Sequence, residues 1–313
     1  MYEAFYGLKV KPFSLLPDPE FLYWAGPHSM AFAMLEYGVV NHAGFTVITG
    51  EIGAGKTTLI KHLLKKLPGN ITVGLVSNIQ GERGDLLSWL LMAFGQDFEG
   101  HSYVGLYRRF EDFLTKQHAQ NQRTVLIIDE AQNLGVKTLE ELRTMSNMNE
   151  SGRELLQIIL SGQPELKALL SRSELVQFAQ RVSSDFHLGL LAPKEVPAYI
   201  DHRLAVAGAT RQLFSDDVFN LIYSVTKGTP RLINLLCDTS LMYGFATGAH
   251  IIRPQLVQAV LRDKGKYGVL ATNFMAAPQS NGAPQSNGGV APTFNPSVAH
   301  LRSDLRGHLR KTL

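Results

Sequence analysis

Eight consecutive residues, Gly50-Glu-Ile-Gly-Ala-Gly-Lys-Thr57, have the types and spacing of a phosphate cradle. Glycine carries no Cβ, so the backbone N–H groups of Gly50, Glu51, Ile52, Gly53, Ala54 and Gly55 can turn inward onto phosphate oxygens. Lys56 then neutralises the β and γ phosphates. Thr57 offers a hydroxyl to Mg²⁺, and Thr58 extends the donor set into the start of a helix. The string points to ATP as the ligand.

A metal needs further oxygen ligands, and an attacking water needs a base. Asp129-Glu130 closes the apolar run Thr124 to Ile128 about seventy residues downstream and meets both needs. Asp129 is placed on the metal and Glu130 on the nucleophilic water. The next apolar run, Leu155 to Leu160, ends in Ser161-Gly-Gln163-Pro, where Ser161 and Gln163 compete to sense the γ-phosphate. Arg231, in Thr229-Pro230-Arg231, puts a cation in a helix's first turn, which the macrodipole disfavours by roughly 0.3–1 kcal/mol. An anionic ligand offsets that cost. Arg181, with Arg172 as a lesser candidate, stands before the last short strand, where a guanidinium could reach a neighbouring subunit's ATP.

These residues need strand ends to hold them. The pattern predicts strands at Phe45 to Thr49, Ile71 to Ser77, Thr124 to Asp129, Leu155 to Ser161 and Phe186 to Leu191. Helices are expected at 28–41, Thr57 to Leu67, Leu86 to Phe94, Tyr107 to Gln117 and Leu134 to Met148. This α/β alternation implies a parallel sheet between two helical layers. After Ala192-Pro193 the pattern turns all-helical, at Lys194 to Ala207, Asp216 to Thr226, Pro230 to Phe245 and Pro254 to Asp263, with Ser215 and Thr229 as N-caps. The proline- and aromatic-rich opening, 1–43, reads as an extended clasp on the α/β body, with Phe21 to Tyr23 flanking an adenine. The domains are therefore 1–192 with its clasp, a helical lid at 193–263, a flexible linker at 264–298 and a basic amphipathic tail at 299–313. The linker contains a tandem Ala-Pro-Gln-Ser-Asn-Gly repeat.

Composition narrows the partners. The formal charge of +3 belongs entirely to the tail, so the remaining chain is neutral and gives no bulk signal for nucleic acid. No stretch is long and apolar enough for a transmembrane span, and the first residues lack a signal-peptide pattern, so a cytoplasmic location is expected. The single cysteine, Cys237, excludes an internal disulfide and is expected to be an inert core thiol. The ten histidines show no metal-ligand spacing.

The chain resembles the ATPases of the general secretion pathway protein A type (the ExeA/GspA group), in the ORC-like branch of the AAA+ superfamily. The motifs that carry this run from Met1-Tyr-Glu-Ala-Phe-Tyr-Gly-Leu through Gly44-Phe-Thr-Val-Ile-Thr-Gly-Glu and Leu126-Ile-Ile-Asp-Glu-Ala-Gln to Leu160-Ser-Gly-Gln-Pro-Glu-Leu and Gly228-Thr-Pro-Arg-Leu-Ile-Asn. The resemblance implies Walker A at Gly50 to Thr57, Walker B at Asp129 and Glu130, sensor 1 near Ser161 to Gln163, an arginine finger at Arg181 and sensor 2 at Arg231. A finger acting in trans implies a homo-oligomer. Where the larger members continue into a membrane segment and a wall-binding domain, this sequence runs into a repeat linker and a basic tail, so the expectation is a form similar to the short soluble ones found with surface-polysaccharide and exosortase systems. The expected function is an ATPase whose cycle drives or regulates assembly of a bacterial envelope secretion or polysaccharide export system, peripheral to the inner membrane. A DNA-handling ATPase and a nucleotide-gated scaffold with negligible turnover are the alternatives.

Overall fold

The computed structural model describes residues 1–77, 86–150 and 153–267. Five apolar runs form strands: β1 (Phe45–Gly50), β2 (Ile71–Ser77), β3 (Arg123–Asp129), β4 (Leu156–Gly162) and β5 (Val182–Leu188). They pair in the order β2-β3-β4-β1-β5, every pair parallel. Parallel strands require crossovers, and these are helical. They comprise α2 (Lys56–Lys66), α3 (Leu86–Ala93), α4 (Tyr103–Ala119), α5 (Val136–Met145) and α6 (Pro164–Leu170), with α1 (Gly26–Val40) preceding β1.

β3 shows why the sheet is three-layered. Successive side chains alternate faces, and every residue from Thr124 to Asp129 is buried, so both faces must be covered. Leu126 and Ile128 pack with α3, α4 and α5, while Val125 and Ile127 pack with α1 and α2.

After β5 the chain is helical: α7 (Val196–Val206), α8 (Phe219–Thr226), α9 (Pro230–Thr247) and α10 (Pro254–Tyr267). These helices share one core with Tyr2, Tyr6, Leu8, Phe13 and Phe21 of the opening segment. The clasp thus closes on the helical part, where its aromatic rings find apolar partners, rather than on the α/β body alone. Cys237 lies fully buried in this core, and burial pushes its thiol well above the ordinary value.

Several boundaries differ from expectation for local reasons. β5 begins at Val182, because Val-Ser-Ser-Asp precedes its apolar half on an edge strand whose burial alternates, and it ends before Gly189. α4 starts at Tyr103, where the Ser102 hydroxyl accepts the Gly105 N–H at 3.3 Å. α5 is shorter than expected, since Ala131–Asn133 forms a 3-10 turn first. Ser215 and Thr229 occupy N-cap positions but make no side-chain cap bond. The Ser215 hydroxyl instead donates to Asp217 Oδ1 at 2.5 Å, with the Ile252 carbonyl 3.2 Å away. α10 runs to Tyr267, four residues into the stretch assigned to the linker. The tandem repeat and the basic tail lie outside the described residues.

Candidate functional site

In a parallel sheet the crevice forms at the carboxyl ends of the strands. Three neighbouring strands end in the predicted residues: β1 in Gly50, β3 in Asp129 and β4 in Ser161-Gly162. The loop after β1 needs a backbone that only glycine adopts readily: φ is +80° at Gly53 and +107° at Gly55. Gly55 is the residue before α2, so the helix's free N–H groups face the loop.

Lys56 is buried, and its Nζ donates to the carbonyls of Gly50 (2.7 Å) and Glu51 (3.1 Å). Burial lowers its pKa, while Glu130, Asp129 and Glu51 pull the other way. The Thr57 hydroxyl donates to Asp129 Oδ2 at 2.9 Å, and the fully buried Ser161 hydroxyl donates to Oδ1 at 2.8 Å. Asp129 Oδ1 also accepts the Glu130 N–H at 3.1 Å. One carboxylate is therefore oriented by three donors. A hydroxyl and a carboxylate in contact at a helix N-terminus form an oxygen set of the kind Mg²⁺ takes when phosphates complete the shell.

Glu130 sits at φ +56°, a left-handed conformation rare for a non-glycine residue and concentrated at functional sites. Its Oε2 accepts amide N–H groups from Gln132 (2.6 Å) and Gln163 (3.0 Å), and Gln132 Oε1 in turn accepts the Gln163 backbone N–H at 3.0 Å. Burial raises the carboxyl's pKa, but the two amides and the nearby Lys56 outweigh it and hold it below the ordinary value. Ser161 and Gln163 therefore stand at different carboxylates, the first at Asp129 and the second at Glu130. Gln132 was not anticipated. The signal for it was an amide two residues beyond the carboxylate.

The cleft beyond the loop is lined by Phe21, Leu22 and Tyr23 and by Arg231 and Asn234. Arg231 is the second residue of α9, and its backbone N–H donates to the Gly53 carbonyl at 3.2 Å, so the helical part touches the loop directly. Phe21 is not a free wall. The Arg203 guanidinium lies 4.8 Å from its ring centre and donates to the carbonyls of Pro12 (2.7 Å) and Ser14 (3.4 Å). Arg203 is buried without an acidic partner, held by those carbonyls and by Tyr199, whose hydroxyl donates to Asn234 Oδ1 at 2.8 Å. His28, also unanticipated, is buried and props the loop with its Nε2 3.1 Å from the Ala54 carbonyl.

Arg181 does not line this cleft. It follows the short helix Val176–Ala179, half-exposed, with Nη1 3.4 Å from the Ser146 hydroxyl. Arg172 is exposed nearby in sequence. Among the described residues, no helix is long and apolar enough to cross a membrane.

Residues 40–170 match the family described as AAA domain. The chain is 38% identical over 253 residues to general secretion pathway protein A of Aeromonas hydrophila, a match covering 80% of this chain and 46% of that relative, so it spans less than half of the relative's length. Among solved structures, the ORC2 protein of Aeropyrum pernix in its ADPNP–ADP complexes superposes with a TM-score of 0.61 at 17% identity, covering 81% of this chain and 71% of that one. The Cdc6p protein of Pyrobaculum aerophilum does so with a TM-score of 0.63 at 16% identity, covering 80% and 70%. At such identity these two matches establish the fold.

Proposed function

Because the chain belongs with the AAA ATPases of the general secretion pathway protein A type, we propose that it binds and hydrolyses MgATP in this cleft. The observation that carries the reading is the meeting of Lys56, Thr57, Asp129 and Glu130 at the carboxyl ends of β1 and β3, the two strands that flank β4. In this reading the backbone from Gly50 to Gly55 wraps the phosphates, with the N–H groups of Lys56, Thr57 and Thr58 continuing the cradle. Lys56, freed from two carbonyls, follows the phosphate charge, which restores the ammonium that burial disfavours.

Thr57 and Asp129 would hold Mg²⁺, which supplies charge neutralisation across the β and γ phosphates. Ser161 fixes the Asp129 carboxylate rather than touching substrate. Glu130, ionised through the neutral range, accepts a proton from the attacking water, and Gln163 and Gln132 set where its oxygen points. Arg231, already against the loop, would answer the γ-phosphate from α9. Since Arg181 stands outside its own chain's cleft, its role as a finger requires a second copy, and a homo-oligomer is part of the proposal.

The cycle would drive or regulate assembly of a bacterial envelope secretion or polysaccharide export system from the cytoplasmic side. The secretion part of this step rests on the relative's name, general secretion pathway protein A, and the polysaccharide part on the resemblance to short forms drawn from the sequence. The test of the chemistry uses two variants. Lys56→Ala is expected to abolish ATP binding measured by calorimetry. Glu130→Gln is expected to bind ATP while losing at least about a hundredfold in turnover. Normal hydrolysis by either variant overturns the assignment.

A further inference from the structure

The direction of a carbonyl in the phosphate loop fixes the direction of the N–H that follows it, because a trans peptide is planar with the two groups opposed. No peptide bond among the described residues is cis. The Gly53 carbonyl accepts the Arg231 N–H at 3.2 Å, and the Gly55 carbonyl accepts the Leu59 N–H of α2 at 3.0 Å. Between them, the fully buried Ala54 turns its carbonyl to a side chain of another element, His28 in the first turn of α1, whose Nε2 lies 3.1 Å away. The Gly55 N–H is therefore aimed away from the imidazole.

The imidazole is built for this one bond. His28 is buried, and burial lowers its pKa although the Ala54 bond and Glu195 pull the other way. A helix N-terminus also disfavours a cation, so the ring is neutral and carries a single N–H. A carbonyl oxygen only accepts, which places that proton on Nε2. Nδ1, buried as well, has no partner among the described residues, so the ring's whole donor capacity goes to the loop. Gly55 completes the fit: a Cβ there would stand 3.2 Å from Nε2, and the bare glycine gives the ring room beside the peptide it holds.

We propose that His28 is a positioning residue for the nucleotide: its Nε2–H holds the Ala54–Gly55 peptide so that the Gly55 N–H donates to the phosphates, next to the free N–H groups at the start of α2. The proposal rests on the MgATP reading above and adds to it a side chain from α1, outside the glycine motif. The imidazole touches no reacting atom and acts through the peptide alone. Its loss therefore raises KM for ATP by more than it lowers kcat.

The test compares His28→Gln with His28→Met in the full chain. Glutamine carries an amide N–H at nearly the reach of Nε2, and methionine has a similar length without a donor. Calorimetry with MgADP is expected to find His28→Gln within about threefold of the native affinity and His28→Met weaker by at least about tenfold. Turnover of ATP by His28→Met should show the larger change in KM. Urea unfolding reports whether each variant is folded. If His28→Met is not, the native and His28→Gln proteins decide through the Gly55 amide resonance, which is expected to move on saturation with MgADP; an unmoved resonance overturns the proposal. Native affinity in a folded His28→Met protein overturns it too, as does a His28→Gln protein as weak as His28→Met, and either result leaves the MgATP reading standing. A native chain that binds neither MgADP nor MgATP overturns that reading and this proposal with it.

Discussion

Gln132→Leu isolates the amide clamp on Glu130. The substitution removes the 2.6 Å donor to Glu130 Oε2 and leaves the Gln163 N–H without the acceptor it has at 3.0 Å. A hydrogen bond to a charged group contributes about 1.5–3 kcal/mol, and because Glu130 is only partly buried, solvent screening reduces this to about 1 kcal/mol. The sign follows from which form is bound. The amides stabilise the carboxylate and lower its pKa, so losing one raises it, with burial pushing the same way and Gln163 and Lys56 opposing. In the native chain the depressed Glu130 pKa contributes stability that is present above the ordinary value of 4.5 and lost as the pH falls through the lowered one. The assay is the pH profile of ATP turnover under kcat/KM conditions. The acidic limb should move upward in Gln132→Leu, and further in the Gln132→Leu/Gln163→Leu double variant. An unmoved limb, or one that moves downward, refutes the clamp.

Three other substitutions test the surrounding geometry. Ser161→Ala strips a buried donor from Asp129 Oδ1 and should cost about 1.5–3 kcal/mol in urea unfolding, with a raised Mg²⁺ requirement for turnover. A loss confined to stability would remove Asp129 from the metal. Gly53→Ala forces a side chain to φ +80°, worth roughly 1–2 kcal/mol, and sets its Cβ 2.5 Å from that of Arg231. Nucleotide affinity should fall with stability, and unchanged calorimetric affinity would show that α9 need not touch the loop. Gly228→Ala places a Cβ 1.9 Å from the Leu191 carbonyl oxygen at φ +77°, so strain and overpacking together should cost about 2–5 kcal/mol. A urea midpoint within error of the native one would contradict the packing of Gly228 on Leu191.

How much of this was legible in the sequence depends on whether the constraint is local. Gly50 to Thr57 and Asp129-Glu130 could be read because phosphate and metal chemistry dictates residue types over a few positions, and the apolar runs before them mark buried strands. The start of β5 was not legible, because an edge strand beginning Val-Ser-Ser-Asp buries only alternate positions and its polar half resembles a loop. The competition between Ser161 and Gln163 could not be resolved from spacing. Residues 161 and 163 point to the same side of an extended chain, and only the positions of Asp129 and Glu130 separate their partners. His28 carried no local signal at all: its contact with Ala54 joins segments 26 residues apart.

The opening segment shows most clearly what tertiary structure adds. Its prolines and aromatic residues predicted an extended strap, and an extended strap exposes carbonyls that need donors. Arg203 supplies them to Pro12 and Ser14 from α7, and the same guanidinium covers the face of Phe21. The Tyr2 hydroxyl donates to Asp238 and Lys11 pairs with it at 3.0 Å, both on α9, the helix whose first turn carries Arg231 against Gly53. The strap, α7 and α9 therefore share one buried core and one wall of the cleft. Arg231 and Phe21 both line the cleft beside the loop. In such an arrangement the chain's first twenty residues are tied to the helices beside the loop by packing, by hydrogen bonds and by the Lys11–Asp238 ion pair, with Arg203 bridging strap and α7.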